Sequence, residues 1–324
     1  MSRSLVIVIG LLGAGLALAG CTNRKEGEAS DPRDQPSAPL PVERAPPTPL
    51  DANAIRRGIG TDISTTDDGV VRATWPRTDV QVSVDGMRFP PSAGLTSWAA
   101  FMPRPQGAMM MGDTVVFEDE VSPAMDAAFG RGLEVSALHN HFFYDEPKVY
   151  FMHIGGDGEP EALARAVKEV WDAIRVVRLG RPQPATTSPG EAPLPGGAID
   201  AEAIARVIGE QAATTGGVVK VTLFRKAVMH DSAFGGSMGL TTWAAFTGSD
   251  AYAAIDGDFA MTADEVQPVL RALRRANIHI VALHNHMVGE TPAYYFTHFW
   301  AKGPALELAR GFRAALEAQR QVQR

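Results

Sequence analysis

The chain has 324 residues, 45% of them apolar and 21% charged, with 37 acidic against 30 basic residues and a formal net charge of −7. That composition is globular and excludes wholesale disorder, and an acidic chain with no basic block excludes nucleic acid as a partner. A single cysteine, Cys21, excludes an intramolecular disulfide framework and any cysteine-built zinc site.

The first element is an address. Arg3 precedes an uncharged apolar run from Leu5 to Ala19. The run is shorter than the ~20 residues of a spanning helix and has the shape of a signal peptide. It ends in Leu18-Ala19-Gly20-Cys21, which is similar to a bacterial lipobox. In that pattern the cysteine is acylated, palmitate being one such acyl group, and becomes the mature N-terminus. The expectation is a signal peptide over 1–20 and a lipidated Cys21. The partner is then a lipid bilayer, and the place the extracytoplasmic cell envelope. Thr22 stands where an inner-membrane lipoprotein would carry aspartate, so in a host with two membranes the outer one is expected. Residues 21–49 are polar and proline-rich and read as a disordered tether.

The body is an internal duplication. GLTSWAAF (94–101) answers GLTTWAAF (239–246), ALHNH (137–141) answers ALHNH (282–286), and YFMH (150–153) answers YFTH (295–298), all at an offset of 145. Without a gap, residues 94–153 match 239–298 at 24 of 60 positions. The likeness extends back to LDANAIRRGIG (50–60) against IDAEAIARVIG (199–209), and GVVRATWPR (69–77) against GVVKVTLFR (217–225). Repeat one is set at 50–177, a Pro/Gly-rich linker at 178–198 and repeat two at 199–320.

In repeat one a short helix is capped by Asp51, as its counterpart is by Asp200. Strands are predicted over 69–76, 79–85, 95–102 and 107–117. A helix begins near Asp119; in repeat two it opens on Thr262-Ala-Asp-Glu265, a capping box. Strands 133–141 and 148–154 come next. A last helix over 159–175 carries Leu163, Val167, Val170, Trp171 and Ile174 on one stripe. The fold class is α+β: two tandem homologous repeats, each a mostly antiparallel sheet with two or three helices, packed as a pseudo-dimer.

Six of the eight histidines sit at equivalent places in the two repeats: His139, His141 and His153, and His284, His286 and His298. Alternation along a strand turns His139 and His141 to one face, with Val135 and Ala137, while Glu134, Ser136, Leu138 and Asn140 take the other. If Ala137 pairs opposite His153, the three imidazoles share a face; a slip of one residue removes His153. Val149 and Phe151 share the parity of His153, which favours the first register. Three imidazoles suit zinc or another transition metal. Asp145 and Glu290, in the loop after each HNH tripeptide, are candidate general bases, fourth ligands or orienting groups. The competing reading makes all six histidines hydrogen-bonded core residues.

Trp98 and Trp243 read as large core residues in preference to a stacking platform for a sugar or aromatic ligand. Gly112-Asp113 and Gly257-Asp258 read as turns. Met109, Met110 and Met111 correspond to Ala254, Ile255 and Asp256 in repeat two, so they read as packing and not as a copper site. No G-x-S-x-G, P-loop, dinucleotide fingerprint or H-E-x-x-H occurs.

The tandem GLTxWAAF, DEV-x-P, A-L-HNH and F-x-H blocks resemble the LppY/LpqO lipoprotein family, which is built on a domain of unknown function. The resemblance implies fold unity and envelope location and implies no reaction. Three functions stay open: a surface-anchored ligand- or metal-binding module, a metal-dependent envelope hydrolase or lyase with a three-histidine site, and a purely structural protein.

Overall fold

Asp51 and Asp200 each accept hydrogen bonds from backbone N–H groups of the helix they open, and Gly60 and Gly209 close those helices in the left-handed conformation. A computed structural model describes residues 48–185 and 197–324. Cys21, the expected signal peptide, nearly all of the tether and the middle of the linker lie outside the described residues. Repeat one runs α1 (Ala52–Ile59), β1 (Ile63–Thr65), β2 (Val71–Pro76), β3 (Val82–Val84), β4 (Met87–Phe89), β5 (Thr96–Pro103), β6 (Ala108–Phe117), α2 (Val121–Gly130), β7 (Glu134–His139), β8 (Asp145–Glu146), β9 (Val149–Gly158) and α3 (Pro160–Gly180). Repeat two runs α4 (Ala201–Ile208), β10 (Ala212–Thr215), β11 (Val218–Phe224), β12 (Lys226–Met229), β13 (Ser232–Gly235), β14 (Thr241–Gly248), β15 (Ala253–Met261), α5 (Ala263–Arg275), β16 (His279–His284), β17 (Tyr295–Gly303) and α6 (Ala305–Val322). The capping box at Thr262 and Glu265 forms as expected. Helix α3 continues through Gly180, past the expected linker start at 178.

The α+β class holds, and the two repeats meet edge to edge. One antiparallel sheet of 12 strands runs β1-β2-β5-β6-β9-β7-β16-β17-β15-β14-β11-β10. Its order is palindromic about the β7–β16 seam, where Leu138 pairs with Leu283. The pseudo-dimer therefore shares a sheet and does not bury one sheet face against another. Residues of α1 to α6 join one core with one face of this sheet, including Phe101, Met110, Met152 and Ile154 in repeat one and Phe246, Phe259, Leu283 and Phe299 in repeat two. Burial on that scale dominates the favourable side of folding.

Contacts across the seam obey the pseudo-twofold. The Arg274 guanidinium donates to both Asp126 carboxylate oxygens, at 2.9 and 2.8 Å. The mirrored contact is Arg271, at the position of Asp126, donating to Phe129 O and Leu133 O, each at 2.8 Å. Ser122 hydrogen-bonds His279, and its counterpart Gln267 brackets the backbone of Val135.

The second sheet face is only partly covered. Val80, Val82, Leu95, Val115, Phe117, Val149 and Phe151 form a small cluster there in repeat one. Ala227, Leu240, Ala260, Tyr294 and Phe296 do so in repeat two. The rest of this face carries the histidines.

Candidate metal centre

Strand register assembles the site. Ala137 lies opposite His153, and Ala282 lies opposite His298. Each pairing contains one extra residue: Ser136 sits between Val135↔Ile154 and Ala137↔His153, and Val281 occupies the same place in β16. The bulge reverses the facing of the residues beyond it. Val135 and Leu138 both join the helix-side core, while Ala137 and His139 face the open side. The expectation that Val135 shares the histidine face is thus corrected: uninterrupted alternation fails at one inserted residue.

All six histidines gather on the open face. In repeat one the Nε2 atoms of His139 and His153 lie 3.0 Å apart. His141 stacks on Phe151, with centroids 3.4 Å apart and planes at 7°, and its ring lies 5.1 Å from that of His139. In repeat two the Nε2 atoms of His284 and His286 lie 3.2 Å apart, and the rings of His284 and His298 are 4.8 Å apart. His286 stacks on Phe296 at 3.5 Å and 9°. The paired phenylalanines explain how His141 and His286, just beyond their strands, are held in place. Both are exposed, which leaves the rim of each centre open to solvent.

Each triad has an aspartate that the turn reading missed. Asp113 and Asp258 are not turn residues; they sit within β6 and β15, opposite His153 and His298. Asp258 Oδ2 lies 3.3 Å from His286 Nε2, and Oδ1 lies 4.0 Å from His298 Nδ1. One ligand atom each from Asp258, His284 and His286 falls within 4.8 Å of the others. Asp113 is 8% exposed and Asp258 3%, and Oδ1 of each is buried without a hydrogen-bond partner, as is Nδ1 of His284. The signal in the sequence was a Gly-Asp pair held at one offset inside two strand patterns.

The electrostatics suit a cation. Burial raises the Asp113 carboxyl above the usual carboxylate range, while His153, His141 and His139 pull it back. Burial pushes Asp258 up to about 6, against the pull of His298. Burial, then His298 and His286, bring His284 down to about 4; burial likewise lowers His141 and His286. Neutral imidazoles around a desolvated carboxylate are a cation-ligating set. On a tetrahedron with bonds of about 2.0–2.1 Å, ligand atoms stand about 3.3 Å apart. The observed edges of 3.0, 3.2 and 3.3 Å fall beside that value.

The expected bases stand elsewhere. Asp145 accepts from Val149 N at 2.7 Å and from Lys148 Nζ at 3.0 Å. Glu290 accepts from Tyr294 N at 2.8 Å. Each carboxylate thus closes its own loop from four residues before, across the cis bonds to Pro147 and Pro292. Trp98 and Trp243 are not core residues. They are half-buried on the open face, opposite Asp113 and Asp258, with Arg72 and Lys220 over their rings at 4.8 and 4.1 Å. The structure places Met110 in the main core, with Met111 exposed.

Comparison with known proteins bears on the family. A family model described as Domain of Unknown Function (DUF1259) matches twice, at residues 53–173 and 202–318. No curated protein matches. Among solved structures, the trimeric bacterial microcompartment shell protein PduB matches at 11% identity, covering 80% of this chain and 91% of that one, with a TM-score of 0.18. EtuB from Clostridium kluyveri matches at 9% identity, 80% and 90% coverage and a TM-score of 0.18. At that TM-score neither likeness carries an argument.

Proposed function

We propose that this chain, which belongs to the DUF1259 domain family in two tandem copies, is an envelope lipoprotein whose repeats each bind a transition-metal ion, zinc fitting best. The ligands come from His139, His141, His153 and Asp113 in repeat one. They come from His284, His286, His298 and Asp258 in repeat two. One observation carries the reading: buried, unpartnered Asp258 Oδ1 belongs to a carboxylate whose other oxygen lies 3.3 Å from an imidazole nitrogen, itself 3.2 Å from a second. A purely structural cluster would give that buried oxygen a donor.

Elemental mass spectrometry of the untagged protein tests this. Near-stoichiometric zinc, copper, iron or nickel is expected, lost in a His139→Ala/His284→Ala double variant and in Asp113→Asn/Asp258→Asn. No metal after reconstitution would return the histidines to a structural role.

The anchor belongs to the same reading. Its support is the lipobox-like Leu18-Ala19-Gly20-Cys21 and the similarity of the repeat blocks to LppY/LpqO lipoproteins. Among the described residues no helix is long and apolar enough to cross a membrane. Labelled palmitate should enter the protein and fail to enter Cys21→Ser.

A further inference from the structure

The open face carries more than metal ligands. In repeat one a row crosses four strands: Trp98 on β5, Asp113 on β6, His153 on β9 and Ala137 on β7, each opposite the next. Repeat two repeats it as Trp243, Asp258, His298 and Ala282. Over each indole lies a basic group from the next strand, Arg72 at 4.8 Å and Lys220 at 4.1 Å from the ring centroid, their backbones in register with Ala100 and Ala245. Both basic residues are exposed, and among the described residues neither has a carboxylate within ion-pair distance. The order cation, indole, aspartate, histidines is thus kept in both repeats although arginine has become lysine.

From these rows we infer that each repeat binds an acidic oligosaccharide, a chain of uronic-acid type, laid from the metal across the indole to the basic residue. The inference rests on the metal reading above. A divalent ion with one aspartate and neutral imidazoles leaves a net positive centre, and Arg72 or Lys220 supplies a second positive end. A ligand with one anionic group uses only one of them. With strands ~4.8 Å apart, the span from histidine to basic side chain is roughly 10–15 Å. A short chain of linked sugars bridges that span; a free small anion does not. The basic group packs over one side of each indole; the half-buried ring beside it keeps accessible, rigid apolar surface with low entropic cost, suited to the C–H face of a sugar ring. Ala100 and Ala245 beside it keep the surface low, so an extended ligand can lie flat. Because the repeats are related by a pseudo-twofold, the two ligands run in opposite directions and bind independently.

The test is calorimetric titration of the zinc-loaded full-length protein, in detergent, with trigalacturonate, maltotriose and inorganic phosphate. Metal content is measured on every sample. Trigalacturonate is expected to bind at least tenfold more tightly than maltotriose, and only to the zinc-loaded form. Trp98→Leu/Trp243→Leu should weaken it at least tenfold with zinc retained. Arg72→Gln/Lys220→Gln, on the surface, should cut the preference over maltotriose severalfold, leaving the part owed to the zinc centre, with zinc retained. If zinc is bound but trigalacturonate is not, or binds both variants as it binds the parent, the inference is overturned while the metal reading stands. Phosphate saturating the site as tightly as trigalacturonate would reduce it to a simple anion site and also overturn it. A protein that takes no zinc at all overturns both.

Discussion

His139 and His153 meet through their Nε2 atoms at 3.0 Å, across the β7–β9 pairing and diagonal to the Ala137–His153 register. Two neutral imidazoles can make that contact only if one donates an Nε2 proton to the other, which fixes opposite tautomers. A metal ion between them requires no such asymmetry and accepts both lone pairs.

Metal should therefore stabilise the fold by mass action. At about a hundred times the dissociation constant, each site adds about 2.7 kcal/mol. Thermal unfolding with zinc against a chelator should show a clear rise in Tm, roughly halved in free energy in His153→Ala or His298→Ala. Equal curves with and without chelator would sink the prediction.

The metal-free protein should have a characteristic pH response. The Asp258 carboxyl is pushed from 3.8 up to about 6, so its stabilising contribution is full below pH 3.8 and lost as pH rises through 6. His284 is brought from 6.5 down to about 4, so its contribution is present above 6.5 and lost as pH falls through 4. The two oppose each other across the same window. Asp258→Asn mimics the protonated carboxyl. It should make the metal-free protein more stable than the parent at about pH 7, with the gain fading towards pH 4. It should also abolish zinc binding in repeat two. Denaturant midpoints over a pH series, in chelator, check this; a gain that grows on acidification would contradict it.

Much of this was legible in the sequence. The 145-residue offset, the helix caps and the helical stripe in α3 are local or periodic signals, and each is found where expected. The pairing that sets Ala137 against His153 was one of two registers the sequence allowed. Three things were hidden. The bulges at Ser136 and Val281 arise from cross-strand geometry, which alternation alone does not carry. Asp113 and Asp258 looked like turn residues because Gly-Asp is turn chemistry. Yet a Cβ on Gly257 would stand 2.4 Å from Trp243 O and 2.2 Å from the Phe299 ring, so glycine is there for close packing. The seam, with Leu138 opposite Leu283, depends on which strand is left at each repeat's edge.

The seam is narrow in backbone terms, so its side chains should matter. Arg274 is 8% exposed, donates to both oxygens of Asp126 and also to Ile278 O. Hydrogen bonds to charged groups are worth roughly 1.5–3 kcal/mol each when removed singly. Arg274→Ala should cost on the order of 2–4 kcal/mol. It should also loosen the coupling between repeats, so that urea unfolding splits into two steps. Asp126→Ala should cost less, because that side is half exposed. A single unchanged transition in Arg274→Ala would show that the shared core alone holds the repeats together.

Each repeat also holds an arginine–glutamate ion pair, buried to different degrees in the two copies. Arg77 and Glu120 are both fully buried and joined by two bonds of 2.8 Å; Glu120 also receives Arg178 at 2.7 Å. Burial raises the Glu120 carboxyl against the pull of Arg77. In repeat two Arg225 is 18% exposed and meets Glu265 at 3.0 Å, while Gln323 stands where Arg178 would be and donates at 2.6 Å. Against burial, the bonds from Gln323, the Thr262 backbone and Arg225 leave the Glu265 carboxyl lowered. Removing one partner of a buried pair strands the other and costs about 3–5 kcal/mol, whereas replacing both by apolar groups is near neutral. Arg77→Met should therefore lose roughly 3–5 kcal/mol, and Arg77→Met/Glu120→Leu less, the remainder coming from Asp79 and Arg178, which each lose a partner. Arg225→Met should lose distinctly less than Arg77→Met, since water reaches the guanidinium and two glutamines remain on Glu265. Denaturant unfolding of these variants beside the parent, in chelator, decides it, because the metal sites then add nothing to any of the curves.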